Sequence, residues 1–371
     1  MTKICHITTV HSNRYDSRIF ERECVSLAQA GLDTILIVND ELPDENKYKV
    51  KIVSLHTKPK NRIDRSTRIA NLAYKKALEI NAEIYHIHDP ELLRIAVKLA
   101  KHNKKVIFDS HEFTAMQILT KPYLPSCVRN IISRLYSKYE VYALNQLSGL
   151  IYPCTYAGKD YFERVSIAKV LIGNYPRMAT IDYVKHSLNE EERQAKACYV
   201  GGISESRGIF HMVKACGIAK CTLLLIGKMP LKIREQLEKM PEFEWVEILG
   251  ELPHEKAIRE IGKCSVGLSL LQAQGQYAKL DNLPTKLYEY MAMGIPTVVS
   301  KFPYYEHILE QYNFGIAVNP LDVEEIAKAI NDIMSNPKLG RRMADEGRKC
   351  IDEEMNWEAE AKKLIDFYHV L

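Results

Sequence analysis

Short apolar runs of strand length alternate with helical patterns along almost the whole chain, and the alternation stops and restarts once. Residues 3–10 read as a buried strand, residues 19–30 as a helix closed by Gly31, and residues 33–38 as the next strand. An opening of strand, helix and strand commits the chain to parallel strands joined by helices. Further strands are expected at residues 50–55, 84–88, 105–109, 149–152 and 169–172. Residues 182–196 are rich in charge, and a new strand begins at residues 197–200, followed by others at 222–226, 245–249, 266–270, 296–299 and 315–318. The expected fold class is α/β, with two tandem Rossmann-like doubly wound domains meeting near residues 174–195. A chain of 371 residues lets each domain bury its own core.

Charge and cysteine usage narrow the function classes. The 51 basic and 47 acidic residues are too evenly balanced to announce a nucleic-acid partner. Nine cysteines, an odd number with no Cys-x-x-Cys pair, read as free thiols in a reducing cytosol rather than as a disulfide frame or a zinc knuckle. Residues 1–10 hold no long apolar segment, and no run approaches the ~20 apolar residues of a membrane span. The expectation is a soluble, cytoplasmic protein whose membrane contact is at most peripheral, on the inner face of the membrane.

The densest chemical signal lies at residues 274–300. Asp281 and Glu289, with seven residues between them, flank Asn282, Pro284, Thr285 and Lys286. Pro284 suits a first helical turn and Gly294 a C-terminal cap, so a helix is expected over about residues 284–293. Leu283, Leu287, Tyr290, Met291 and Gly294 recur at helical spacing and form its core face. Glu289 points the other way, beside Thr285, Ala292 and Met293, so the helix is covered on both sides and one carboxylate is held in a dry place that a polyhydroxyl ligand could occupy.

Ligands of open α/β sheets bind beyond the carboxyl ends of the strands. The first such loop, residues 11–18, has no glycine, which disfavours a nicotinamide dehydrogenase. It offers His11, Ser12, Asn13, Arg14, Asp16 and Arg18, a polar set able to grip an acceptor; alternatively, Asp16 and Arg18 pair with each other and order the loop. In the second half the matching loop runs Gly201, Gly202, Ile203, Ser204, Glu205, Ser206, Arg207, Gly208. Its glycines let a ligand approach closely, and Arg207 precedes a helix whose free N–H groups favour anions.

Two histidine sites stand in the first half. His111 follows the strand at 105–109, between Ser110 and Glu112. His86 and His88 share one side of a strand, which invites a metal, but no third ligand sits at a convincing spacing, so they are read as hydrogen-bonded structure. Asp89, Pro90 and Glu91 suit a helix start. Basic residues gather at Lys58, Lys60, Arg62, Arg65 and Arg68, facing only Asp64. They gather again at Arg129, Arg134 and Lys138, beside Ile131, Ile132, Leu135 and Tyr136. The second group suits an anionic membrane surface; the alternative is a helix packed in its domain with its basic residues in water.

Asp281, Glu289, Pro284, Lys286, Tyr290, Met291, Ala292, Gly294, Pro296 and the strand at 297–300 together resemble the C-terminal sugar-nucleotide site of the retaining glycosyltransferases of family four, which have the GT-B fold. The resemblance implies that Asp281 faces the donor sugar, although the family usually has Glu there, and that Glu289 holds the ribose. It implies a diphosphate loop at Gly201 and Gly202, where Gly202 replaces a common Arg and Arg207 stands in the place of a Lys. His111 resembles the family's cleft histidine at the reacting sugar, and residues 8–23, with Asp16 and Arg18, its acceptor loop. A last helix, residues 357–371, would cross back onto the N-terminal domain rather than pack on its own, giving domains 1–173 plus 357–371 and 174–356.

The implied activity is a hexosyl transfer from a UDP- or GDP-sugar, with retention, no metal and no cofactor. The leaving diphosphate would be held by Arg207, Lys286 and the helix start at Thr285. The implied acceptor is a saccharide or lipid-linked saccharide of a bacterial surface polysaccharide. The alternatives are a sugar-nucleotide epimerase of the same fold, and an inactive binding partner of another transferase.

Overall fold

The computed structural model describes residues 2–10, 13–121, 124–178, 181–182 and 193–371. The chain divides into two compact units, Met1–Asn174 with Glu358–Leu371, and Tyr175–Trp357.

The first unit is built on eight strands: β1 (Lys3–Ile7), β2 (Asp33–Val38), β3 (Glu45–Lys47), β4 (Val50–Ser54), β5 (Ile84–Ile87), β6 (Lys105–Asp109), β7 (Gly149–Tyr152) and β8 (Ala168–Leu171). Their order is β3-β4-β2-β1-β5-β6-β7-β8. All ladders are parallel except the β3–β4 hairpin. That hairpin leaves no signature in the sequence, because its turn residues, Tyr48 and Lys49, take positive φ (50° and 66°) with no glycine to announce it. The central strands are buried on both faces, as parallel strands covered by helices must be. The last helix, Trp357–Val370, packs on this unit, with Leu364, Phe367 and Tyr368 buried. A Cβ at Gly149 would stand 2.8 Å from the Phe367 ring, so the absence of a side chain on β7 lets the helix seat closely.

The second unit holds β9 (Gln194–Val200), β10 (Thr222–Ile226), β11 (Val246–Gly250), β12 (Cys264–Ser269), β13 (Thr297–Ser300) and β14 (Gly315–Val318), in the order β11-β10-β9-β12-β13-β14 and all parallel. Apolar clusters cover both faces. One centres on the helix Thr285–Ala292, the other on the helices Ile209–Ala219 and Val323–Ser335. In each sheet the strand order reverses beside the first strand, at β1/β5 and at β9/β12, and such switch points open the crevices where ligands of these sheets bind.

The helix after Asp281 starts one residue later than the sequence suggests. Pro284, with ψ of 141°, is its N-cap rather than its first helical residue, and Gly294 follows its end with φ of +64°. Leu283, Leu287, Tyr290 and Met291 are buried in the core, and every residue from Lys286 to Ala292 is buried. All nine cysteines are free thiols, with only Cys127 exposed.

Candidate functional site

At the carboxyl end of β9 the chain turns through Gly201, whose φ of +124° few side chains tolerate. The Tyr199 hydroxyl donates to the Gly202 carbonyl (2.9 Å), and the Tyr290 hydroxyl accepts the Val200 N–H (3.1 Å), so the turn is pinned from both sides. Gly208, at φ +79°, lies so close to the chain after β12 that a Cβ would fall 2.3 Å from the Leu270 carbonyl oxygen. The helix Ile209–Ala219 begins directly after it. Gly202 is different: nothing lies within 4 Å of a Cβ built there, so the fold itself does not demand glycine.

Two cations converge on this turn. A Cβ on Gly201 would stand 3.2 Å from Lys286 Nζ and 3.6 Å from Arg207 Nη1. Lys286 is nearly inaccessible and holds its ammonium 3.8 Å from the centroid of the Tyr199 ring. Burial, then the charge of Arg207, push its pKa well below the usual lysine range, with Glu289 opposing them. Two like charges aimed at one backbone turn are costly unless an anion lies between them. Both adjoining helices also direct their N-termini, Thr285 and Ile209, to this edge of the sheet.

Glu289 is buried, and its Oε1 lies 2.8 Å from His254 Nε2. His254 opens the helix His254–Gly262 after β11 and is half-exposed. Sequence reasoning missed it; the only signal was a histidine directly after Pro253 in a loop at the carboxyl end of a strand. Asp281 is half-buried in the loop before the helix. A separate cavity of about 610 Å³, lined by Arg193, Ser265, Pro296 and Arg341 among others, opens at the amino ends of β9, β12 and β13 and therefore away from this turn.

In the first unit the polar loop is ordered from within, closer to the second of its two readings. His11 and Ser12 lie outside the described residues. Arg18 turns inward, donating from Nε and Nη2 to both oxygens of Asp109 (3.0 and 2.9 Å) and from Nη1 to the Ile172 carbonyl (3.2 Å). Arg14 is likewise buried, in a two-pronged pair with Asp40. Asp16 orders the loop through the backbone, its Oδ1 accepting the N–H groups of Arg18 and Ile19. The physical reason is burial: a guanidinium at the sheet's central crevice, opposite a buried carboxylate, pairs with it.

His111, at the end of β6, sets Nε2 2.9 Å from Asp109 Oδ2 and keeps its side chain 19% exposed. Burial works against the Asp109 carboxylate, yet Arg18 and His111 hold it well below the usual range. Asp89 does more than begin the helical segment at Pro90; its carboxylate receives the N–H groups of Thr9 and Val10 and ties down the loop after β1.

His86 and His88 are not an isolated pair. His6 is the register partner of His86 on β1, and Glu23 descends onto both from the helical turn Ile19–Cys24. Chain spacing could not show this, because the sheet order sets residue 6 beside residue 86. Burial depresses the pKa of His6 and His86 and lowers that of His88 to about 4, so all three imidazoles are neutral.

The helix Ser126–Leu144 buries Ser133, Glu140, Ala143 and Leu144 and exposes Val128, Ile131, Ile132, Leu135, Tyr139 and Tyr142. Its apolar stripe therefore faces out, with Arg134 and Lys138 exposed beside it. Two residues differ from expectation. Tyr136 is half-buried, and Arg129 donates to the Leu119 carbonyl (3.0 Å) instead of bordering the stripe. The cluster at residues 58–68 is largely neutralised, with Lys58 on Glu41, Arg65 on Glu91 and Arg68 on Asp64. No described helix is long and apolar enough to cross a membrane.

Two doubly wound parallel-sheet units, each with its crevice at a switch point, define the GT-B fold, and solved structures of that fold match along the whole chain. Sucrose-phosphate synthase from Thermosynechococcus elongatus is 17% identical, with a TM-score of 0.78 over 100% of this chain and 98% of that one. HepE of Anabaena, solved in complex with UDP, is 13% identical with a TM-score of 0.69 over the full length of both. A glycosyltransferase from Rickettsia africae is 12% identical with a TM-score of 0.71, covering 99% of this chain and 97% of that one. No curated protein matches. Residues 181–350 match the family described as glycosyl transferases group 1, and the chain is a glycosyltransferase.

Proposed function

We propose that the chain transfers a hexose from a nucleoside-diphosphate sugar to a saccharide or lipid-linked saccharide, with retention and without metal in the transfer, in bacterial surface-polysaccharide synthesis. The observation that carries the donor class is the convergence of Lys286 and Arg207 on the Gly201 turn. A diphosphate laid against that turn meets both cations and two helix N-termini. It also relieves their mutual repulsion and restores the proton that burial makes hard for Lys286 to hold. The structural likeness to HepE, solved with UDP, supports the same reading.

As the glycosidic bond breaks, negative charge grows on the leaving diphosphate. Cations and N–H groups already fixed in a dry place stabilise that charge without reorganising. Glu289, eight residues on from Asp281, is the candidate for the ribose hydroxyls. His254 holds one of its oxygens and fixes the direction of the other. Asp281 is the candidate for the donor sugar, and Thr285 opens the helix toward the phosphates. In the first unit, His111 is the candidate for substrate contact, while Asp16 and Arg18 shape the loop rather than touch the acceptor.

The exposed stripe from Val128 to Tyr142, bordered by Arg134 and Lys138, supports delivery of the acceptor from an anionic membrane surface. The donor proposal is tested by steady-state kinetics of Arg207→Ala. Turnover is expected to fall more than the donor KM rises, because the guanidinium acts on charge that develops in the transition state, and Arg207→Lys is expected to recover only part. A rise in KM at unchanged turnover would reduce Arg207 to a plain binding role.

A further inference from the structure

The centre of the first unit gathers four ligand-type side chains that glycosyl transfer does not use. His6 comes from β1, His86 from β5, His88 from the residue directly after β5, and Glu23 from the turn Ile19–Cys24, and all four are buried. One ligand atom from each lies within 4.8 Å of all the others. Glu23 Oε2 is 4.0 Å from His6 Nδ1, 4.0 Å from His86 Nε2 and 3.9 Å from His88 Nε2, while His6 Nδ1 and His88 Nε2 are 2.9 Å apart. A tetrahedral ion with bonds of about 2.1 Å sets its ligands about 3.4 Å apart, within the range these distances bracket.

The other ring nitrogens all point outward to partners. His6 Nε2 and His86 Nδ1 both meet the Tyr368 hydroxyl, at 3.4 and 2.6 Å. His88 Nδ1 lies 3.5 Å from Asp109 Oδ2 and 3.2 Å from His111 Nε2. Outward partners of this kind fix the ring and the tautomer of metal-binding histidines and leave the inward nitrogen as a lone pair. On the inward side His6 Nδ1 and His88 Nε2 lie at hydrogen-bond distance from each other, while Glu23 Oε2 and His86 Nε2 have no hydrogen-bond partner among the described residues. Charge is also unmatched. Arg18 is shared between Asp109, which His111 also meets, and Glu23, approaching Glu23 at Oε1 (3.1 Å) and leaving Oε2 to face the three imidazoles. A buried carboxylate without a full counter-charge is costly, and a cation at this point removes the deficit.

We propose that His6, Glu23, His86 and His88 bind one divalent transition-metal ion in a closed, four-ligand structural site. Three imidazoles and a carboxylate, with every position taken by protein, suit zinc. The ion joins β1, β5 and the turn Ile19–Cys24, and through Tyr368 it fastens the last helix to the sheet. It offers no open position to a substrate, so the site is independent of the donor chemistry proposed above.

The test uses the full chain without a polyhistidine tag, expressed in minimal medium supplemented with zinc or, separately, with cobalt. About one ion per chain by elemental analysis is expected, and the cobalt protein should show the intense ligand-field bands of a tetrahedral site. Glu23→Gln combined with His86→Ala should abolish both signals, while substituting His254, a histidine of the second unit, should leave both intact. Wild-type protein free of stoichiometric metal from both cultures would overturn the proposal. So would weak octahedral cobalt bands, or metal retained by the double variant. Because the wild-type spectrum decides on its own, a variant that fails to fold does not shelter the idea.

Discussion

Glu140 gives the sharpest quantitative consequence of the structure. It lies on the buried side of the helix Ser126–Leu144, 1% exposed, with a 3.5 Å contact from the Tyr161 hydroxyl and with Oε1 unpartnered among the described residues. Burial pushes its pKa from 4.5 up to about 7, against the weaker pull of the Tyr136 and Tyr161 hydroxyls. The folded state therefore keeps a proton that the unfolded chain has already lost between those two values. Stability from this group is fully present below about pH 4.5, falls as pH rises through about 7, and is flat beyond. A tenfold change in proton affinity is worth about 1.4 kcal/mol, so the difference between folded and unfolded chain amounts to roughly 3 kcal/mol. Glu140→Gln keeps the shape and removes the titration. The variant should match wild type near pH 4.5 and exceed it by up to roughly 3 kcal/mol at pH 8, on the order of 100-fold in opening equilibrium. Hydrogen exchange of the peptides spanning residues 126–144 reads this locally, and the ratio of variant to wild type at each pH cancels intrinsic exchange and every other titrating group. A ratio that does not change between pH 5 and pH 8 refutes the reasoning.

Three further outcomes are expected. Glu289→Ala should weaken nucleotide-sugar binding by roughly 1.5–3 kcal/mol in calorimetry while leaving the fold intact; unchanged affinity removes this residue from the donor site. Wild-type protein should sediment with anionic liposomes at low salt and be released as salt rises, and replacing Arg134 and Lys138 with Glu should abolish the effect, since each basic residue contributes about 1 kcal/mol at such a surface. Binding that survives the double substitution would leave the exposed stripe without an anionic partner. Turnover should persist when EDTA is present during the assay and elemental analysis shows that the chain keeps any structural ion, because the proposed transfer uses no metal; loss reversed by a divalent ion under those conditions would overturn that mechanism.

What the sequence reveals and what it conceals divides along the range of the interactions involved. The helix Thr285–Ala292 is legible because its cap residues, apolar spacing and the following strand are local, and each leaves its signature within a few residues. Most strands are legible for the same reason, while β3 is not, since Tyr48 and Lys49 adopt positive φ without the usual turn residues. The pairing of His254 with Glu289 spans 35 positions and depends on two helices meeting beside one sheet edge. Arg18 reads as part of a polar loop that grips an acceptor or as the partner of Asp16, and only the arrival of Asp109 from β6 turns it inward. The stripe of the helix Ser126–Leu144 shows in its period, but a period cannot say which side faces out. Tyr136 fits the same spacing closely enough to be placed on it, and only the packing of Glu140, Ala143 and Leu144 decides the matter. Most telling is the set His6, Glu23, His86 and His88: each ligand is unremarkable in its own segment, and the chemistry exists only because β1 lies between β2 and β5. Functional groups assembled by strand order are invisible to any reading that moves along the chain, and become visible once register is known.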